Sequence, residues 1–168
     1  YLDKVMSPLK EFQENIFNEL KSRIKEQDES VPYQDGSYLY YAKFEAGGEY
    51  PLYCRKKVDI EEVLLNGNIM SENCDYFNIG GFEISDNEQL IAYGIDTIGR
   101  RNYTLKIKDL KTGEVLPDTI ENTEGGNYAW AADNRSIFYM VRDQQTLLGD
   151  KVYKHILGTD PKFDELVY

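Results

Sequence analysis

The apolar residues of this chain change period once. Between Ser7 and Glu26, the residues Leu9, Phe12, Ile16, Leu20 and Ile24 recur at steps of three and four, which gathers them on about a third of a helix circumference. After Ser30 the period drops to two and stays there, broken by clusters of Gly, Asn and Asp. A chain patterned this way places one amphipathic helix ahead of many short strands. Ser7 is the expected N-cap and Pro8 the first-turn residue, because proline lacks only an N–H that has no partner there. Lys10, Glu14, Lys21 and Lys25 cover the other face as a solvated surface. No second helix is predicted, so the apolar stripe must pack on the sheet or on something outside these residues.

Strands are predicted at Ser30 to Tyr33, Tyr38 to Phe44, Leu52 to Lys56 and Glu62 to Leu65. A second set follows at Phe77 to Ser85, Leu90 to Asp96, Tyr103 to Leu110 and Glu114 to Pro117, and a third at Tyr128 to Ala131, Ser136 to Arg142, Val152 to Leu157 and Glu165 to Tyr168. Turns are expected at Asp35-Gly36, at Ala46-Gly47-Gly48, around Val58 and at Asp109 to Gly113, where Asp109 can bond the backbone ahead and Gly113 can take a positive φ. Ser85-Asp86-Asn87 echoes Ala132-Asp133-Asn134 at an offset of 47 residues. Repeats of roughly 40 to 50 residues built from four short strands are the signature of propeller blades, and a β-sandwich offers no such echo. The 14 Tyr and 7 Phe suit pleated, half-buried surfaces.

The predicted fold class is therefore mainly β, a partial β-propeller of about three four-stranded blades preceded by one amphipathic α-helix. Residues 1–29 form the helical segment, and residues 30–66, 77–121 and 127–168 the blades. Three blades cannot close a ring, since propellers typically use 4 to 8. Each outer blade then exposes an apolar face, so the chain is expected to be a portion of a larger protein and to self-associate. It also begins at Tyr1 rather than Met, consistent with residues upstream.

A net charge of −11 excludes nucleic acid as a natural partner, and no apolar run approaches the roughly 20 residues of a membrane span. Cys54 and Cys74 lack the paired spacing of a zinc site and read as two free buried thiols. No His-x-x-x-His or calcium-loop pattern suggests a metal. The glycine pairs Gly47-Gly48, Gly80-Gly81 and Gly125-Gly126 lack the strand-to-helix context and the lysine of a phosphate loop. No cofactor is expected. No Gly-x-Ser-x-Gly elbow occurs, so no catalytic residue is assigned. His155, the single histidine, reads as a polar-face strand residue, and Trp130 as packing between blades rather than a stacking platform. Asn102-Tyr103-Thr104 and Asn134-Arg135-Ser136 match the glycosylation pattern by accident. Arg100-Arg101, with Asp96 nearby, could form salt bridges to a facing domain or could simply be solvated. These three residues are the candidate interdomain contacts.

Several segments together resemble a known family. They are Glu45-Ala46-Gly47-Gly48-Glu49-Tyr50-Pro51-Leu52-Tyr53-Cys54-Arg55, Gly80 to Asn87, Gly99-Arg100-Arg101-Asn102-Tyr103, Tyr128 to Asn134, Phe138 to Arg142 and Val152 to Thr159. They resemble the propeller of the prolyl oligopeptidase family of serine peptidases, in its oligopeptidase B branch, and Leu2 to Met6 looks like the segment just before it. The resemblance implies a seven-bladed propeller capping an α/β-hydrolase domain, which carries the Ser, Asp and His triad later in the sequence. It implies short peptides cut after Arg or Lys, with the propeller filtering substrates by size. The partners would be the chain's own C-terminal hydrolase domain and short basic peptides, in a bacterial cytoplasm or periplasm. These 168 residues alone would then be inactive. A non-catalytic propeller binding module and an independent small β-domain are the alternatives.

Overall fold

A computed structural model of the chain describes residues 2–143, 145–146 and 148–168. The helical segment is longer than its predicted start. It comprises α1 (Leu2–Met6), a 3-10 turn at Ser7–Leu9 and α2 (Lys10–Ser22). Ser7 is not a cap: Met6 and Lys10 on either side keep helical backbone angles, and no side-chain capping bond is made at the turn. Leu2 and Val5 extend the apolar stripe by another turn before Leu9, and the tighter 3-10 turn accommodates Pro8, which has no N–H to donate. The helix ends at Ser22 rather than Glu26, where the Ser22 hydroxyl bonds back to the Glu19 carbonyl. None of its residues is buried, and Phe12 and Leu20 are 62% and 57% exposed.

The first sheet is antiparallel in the order β1 (Tyr33–Asp35), β2 (Tyr38–Lys43), β3 (Leu52–Lys57) and β4 (Ile60–Asn66). The predicted first strand ended at Tyr33, but the observed one begins there. Glu29 and Ser30 still pair with the end of β2, and Pro32, unable to donate, interrupts the ladder between the two stretches. A short helix, α3 (Gly67–Met70), follows β4, capped by the Asn66 side chain.

Seven strands make the second sheet: β5 (Asn78–Ile84), β6 (Leu90–Asp96), β7 (Tyr103–Asp109), β8 (Val115–Trp130), β9 (Ser136–Arg142), β10 (Gly149–Ile156) and β11 (Glu165–Leu166). Two separate sets were expected, and β8 joins them. Its first half pairs with β7 and its second half with β9, and Thr123 pairs with both Tyr103 and Val141. The strand bends around that fork, where Asn122 and Gly126 take positive φ values of 60° and 83°.

The repeat also needs correcting by one residue. β6 and β9 begin at Leu90 and Ser136, and β7 and β10 at Tyr103 and Gly149, 46 residues apart in each case. The turns agree: Ser85 N bonds Leu90 O as Ala131 N bonds Ser136 O, and Asn87 and Asp133 each accept from the amide two residues on. The shared Asp-Asn letters sit one position out of structural register.

The core lies between sets. Ile91 and Tyr93 on one face of β6 pack with Tyr40, Leu64 and Leu65 of the first sheet. Ala92 on the other face packs with Leu105, Ile107, Tyr128 and Ile137 toward the third set. Alternation by two thus buries both faces of the middle set. A Cβ on Gly81 would lie 2.5 Å from the Gly126 Cα, so the inner strands of the second and third sets meet backbone to backbone. The accessible surface is 11410 Å², against about 8,500 Å² for a closed monomer of this mass.

Candidate functional site

Loop 97–102 joins β6 to β7 and carries the predicted contact residues. Asp96 ends β6 and is 1% exposed. Its carboxylate turns into the loop, accepting from the amides of Ile98 (2.9 Å), Gly99 (3.0 Å) and Arg101 (2.7 Å). Aspartate is short enough to serve its own following backbone in this way. Arg142, the last residue of β9, donates to the carbonyls of Arg100 at 3.0 Å and Arg101 at 2.6 Å. The loop is thereby fixed from two sides, with Arg101 held at a φ of 55°, while Arg100 and Arg101 themselves are exposed. Both oxygens of Asp96 are engaged in shaping the loop, so it does not present a contact outward. Arg142 gave no signal in the sequence, because an arginine ending a strand is ordinary.

Antiparallel order puts the far end of the second strand of every set at one end of the molecule, with loop 44–51, loop 97–102 and Arg142 at the end of β9. The helical segment arrives at the same end. A cleft of about 510 Å³ separates Lys21, Ile24 and Lys25 from Phe44, Glu45 and Gly48. The C-terminal end of the helical segment and the braced arginines therefore share one end, and the hairpins at 36–37, 85–89 and 131–135 occupy the other.

His155 is not on a polar face. It is fully buried, with Nδ1 2.8 Å from Asp164 and Nε2 3.0 Å from Asp118. Both ring nitrogens are occupied by carboxylates, so this histidine has none left to activate a nucleophile. On the same strand face, two residues before it, Tyr153 stacks on the buried Tyr139 at 5.8 Å, a contact that alternation alone does not announce. Trp130 packs against the core between the second and third sets and donates to the Glu83 carbonyl of the neighbouring set at 3.1 Å. Asn134, from a glycosylation triplet, accepts from the Asn87 amide across the same boundary at 2.9 Å. Cys54 is buried as expected, and desolvation pushes its thiol up to about 11, whereas Cys74, also expected to be buried, is only half-buried. Among the described residues no cluster of His, Cys, Asp and Glu could hold a metal, and no helix is long and apolar enough to cross a membrane.

Antiparallel four-stranded units stacked face to face, sharing apolar layers and leaving both outermost faces open, define part of a β-propeller. Residues 1–168 match the family described as prolyl oligopeptidase, N-terminal beta-propeller domain, and the chain belongs to that family. It is 42% identical over 186 residues to dipeptidyl aminopeptidase BI of Pseudoxanthomonas mexicana. It is 31% identical over 177 residues to Protease 2 of Moraxella lacunata. Both alignments cover 100% of this chain and 26% of the relative, so the chain spans about a quarter of their length. Among solved structures it is similar to oligopeptidase B from Leishmania major, with a TM-score of 0.92 at 27% identity over 99% of this chain and 24% of that one. Oligopeptidase B from Trypanosoma brucei with covalently bound antipain gives a TM-score of 0.86 at 28% identity over the same shares. The resemblance read from the sequence and the mainly β propeller class both hold.

Proposed function

We propose that these residues are the propeller portion of a serine oligopeptidase that cleaves short peptides after Arg or Lys. In this reading the propeller admits peptides by size and packs, through the end bearing the helix and loop 97–102, on an α/β-hydrolase domain carrying the triad. The observation that carries the reading is the sharing of that end by the C-terminus of an amphipathic helix with no buried residue and a loop braced by Asp96 and Arg142. An unpartnered stripe needs a cover, and a fixed loop can present Arg100 and Arg101 to facing carboxylates without ordering itself on each closure. Closure would exclude water and complete the site, while the triad elsewhere in the parent forms the acyl-enzyme. The setting would be a bacterial cytoplasm or periplasm. A second reading is release of dipeptides from a free N-terminus, favoured by the name of the relative that is 42% identical.

Full-length protein assayed on an N-blocked Arg-Arg fluorogenic peptide, an unblocked dipeptide ending in Arg and a proline peptide separates these readings. The first reading expects cleavage of the blocked arginine peptide, little of the proline peptide, and silence from residues 1–168 alone. Cleavage confined to the unblocked dipeptide favours the second. A folded parent inactive on all three overturns both in favour of a non-catalytic binding propeller.

A further inference from the structure

Two hairpins keep a side chain on backbone that suits glycine best. Glu88 and Asn134 take positive φ values of 61° and 53°. Their positions are equivalent and 46 residues apart: each lies between the first and second strands of its set, and each amide bonds the carbonyl three residues back, Ser85 for Glu88 and Ala131 for Asn134. Glycine adopts this backbone freely, whereas glutamate seldom does. A left-handed residue that is not glycine points to a use for its side chain.

Both side chains have the same use, which is to reach back to the hairpin of the set before. The Glu88 carboxylate accepts from the Ser37 amide, and Asn134 Oδ1 accepts from the Asn87 amide at 2.9 Å. Glu88 fills the space beside Gly36 so fully that a Cβ there would lie 2.3 Å from the carboxylate oxygen. Arg55 of the first set closes the same link from its other side, donating to the Glu88 carbonyl at 2.8 Å while paired with Glu62 at 2.7 Å. Asn134 is steadied by its own Nδ2, which donates to the Ala132 carbonyl at 3.2 Å, so the whole amide of this glycosylation triplet is engaged. In the first hairpin the left-handed residue is Gly36, and among the described residues no further sheet lies beyond it for a side chain to reach.

We propose that Glu88 and Asn134 are successive links of a strap that runs from hairpin to hairpin and holds neighbouring blades together at the end opposite loop 97–102. The inner strands β5 and β8 meet backbone to backbone, so the hairpins that follow them border the propeller axis. The strap thus ties the mouth of the channel on that side, each set adding one link to the set before it. A hydrogen bond from an amide to a carboxylate is stronger than one to a neutral acceptor, which makes the link at Glu88 the tighter of the two. The strap depends on the fold alone and not on the peptidase reading.

The test compares the full-length protein with Glu88→Gly and Asn134→Gly, which remove one link each while leaving a residue suited to the left-handed backbone. Hydrogen exchange is read by mass spectrometry with fragmentation to single amides and corrected for intrinsic rates. Glu88→Gly is expected to speed exchange of the Ser37 amide at least fivefold. Asn134→Gly is expected to do the same at Asn87 and to leave Ser37 at its parent rate. Glu88→Gln and Asn134→Asp, which keep an acceptor oxygen, should keep the parent rates at both amides. The double glycine variant should melt below the parent, although relief of the left-handed backbone by itself would raise its midpoint. Unchanged exchange at Ser37 and Asn87 in the glycine variants overturns the strap. So does a double variant that melts above the parent, or an Asn134→Gly protein in which Ser37 exchanges as fast as Asn87.

Discussion

Individual positions carry strain as well as contact. Val58, in the turn between β3 and β4, holds a φ of 57° with 87% of its surface exposed. A β-branched residue in left-handed backbone is an outlier, and such positions cost on the order of 1–3 kcal/mol. Val58→Gly removes the Cβ that causes the clash while giving up almost no packing. It is expected to raise stability by about 1 kcal/mol, a rise of roughly 2–4 °C in thermal midpoint for a chain of this size. Val58→Thr, with the same branching, should give no gain, and equal midpoints for the Gly and Val proteins would show that the turn is not strained. The period of two marked this neighbourhood as a turn, but φ is set by how tightly β3 and β4 join, and no residue letter announced it. The same limit hid Arg142 and Asp118, whose partners are 41 and 37 residues away.

Elements were legible where one physical rule governed them. β2, β6, β7 and β9 follow alternation because each is packed on both faces or on one, and their predicted ends fall within a residue or two of those observed. β8 was half hidden, because Glu121 to Asn127 is polar and glycine-rich and reads as a loop. Its pairing with two neighbours is a tertiary fact. The helix was legible from its stripe, though its start was misplaced because Ser7 and Pro8 imitate a beginning. That stripe has a consequence testable in the parent. Phe12→Ser with Leu20→Ser should leave the thermal midpoint of the isolated sheets unchanged, because neither side chain is buried against them. If the helix docks on the hydrolase domain, losing two apolar contacts of about 1.5–3 kcal/mol each should lower kcat/KM of the full-length protein at least tenfold. Unchanged activity would mean the stripe faces something else.

At the scale of the molecule, an accessible surface of 11410 Å², well above the area of about 8,500 Å² for a closed monomer, reflects faces with no neighbour. Phe138, Met140, Val152 and Ile156 share the free face of the third set, paired across β9 and β10 on the side away from the core. Residues 1–168 produced alone are therefore expected to self-associate, with a sedimentation coefficient that rises with concentration. Phe138→Asp should shift the species toward monomer, whereas a concentration-independent monomer in the unaltered chain would mean these faces do not attract one another. The shared strand sets a further behaviour under load. Pulled from its last residue, the chain would release β11, then β10, then β9, each hairpin peeling at low force. The tear would stop at Thr123, where the strand is also stitched to β7. Beyond that point the load would pass into the sheet of the preceding blade, so a mechanical failure of one blade would be arrested by the next.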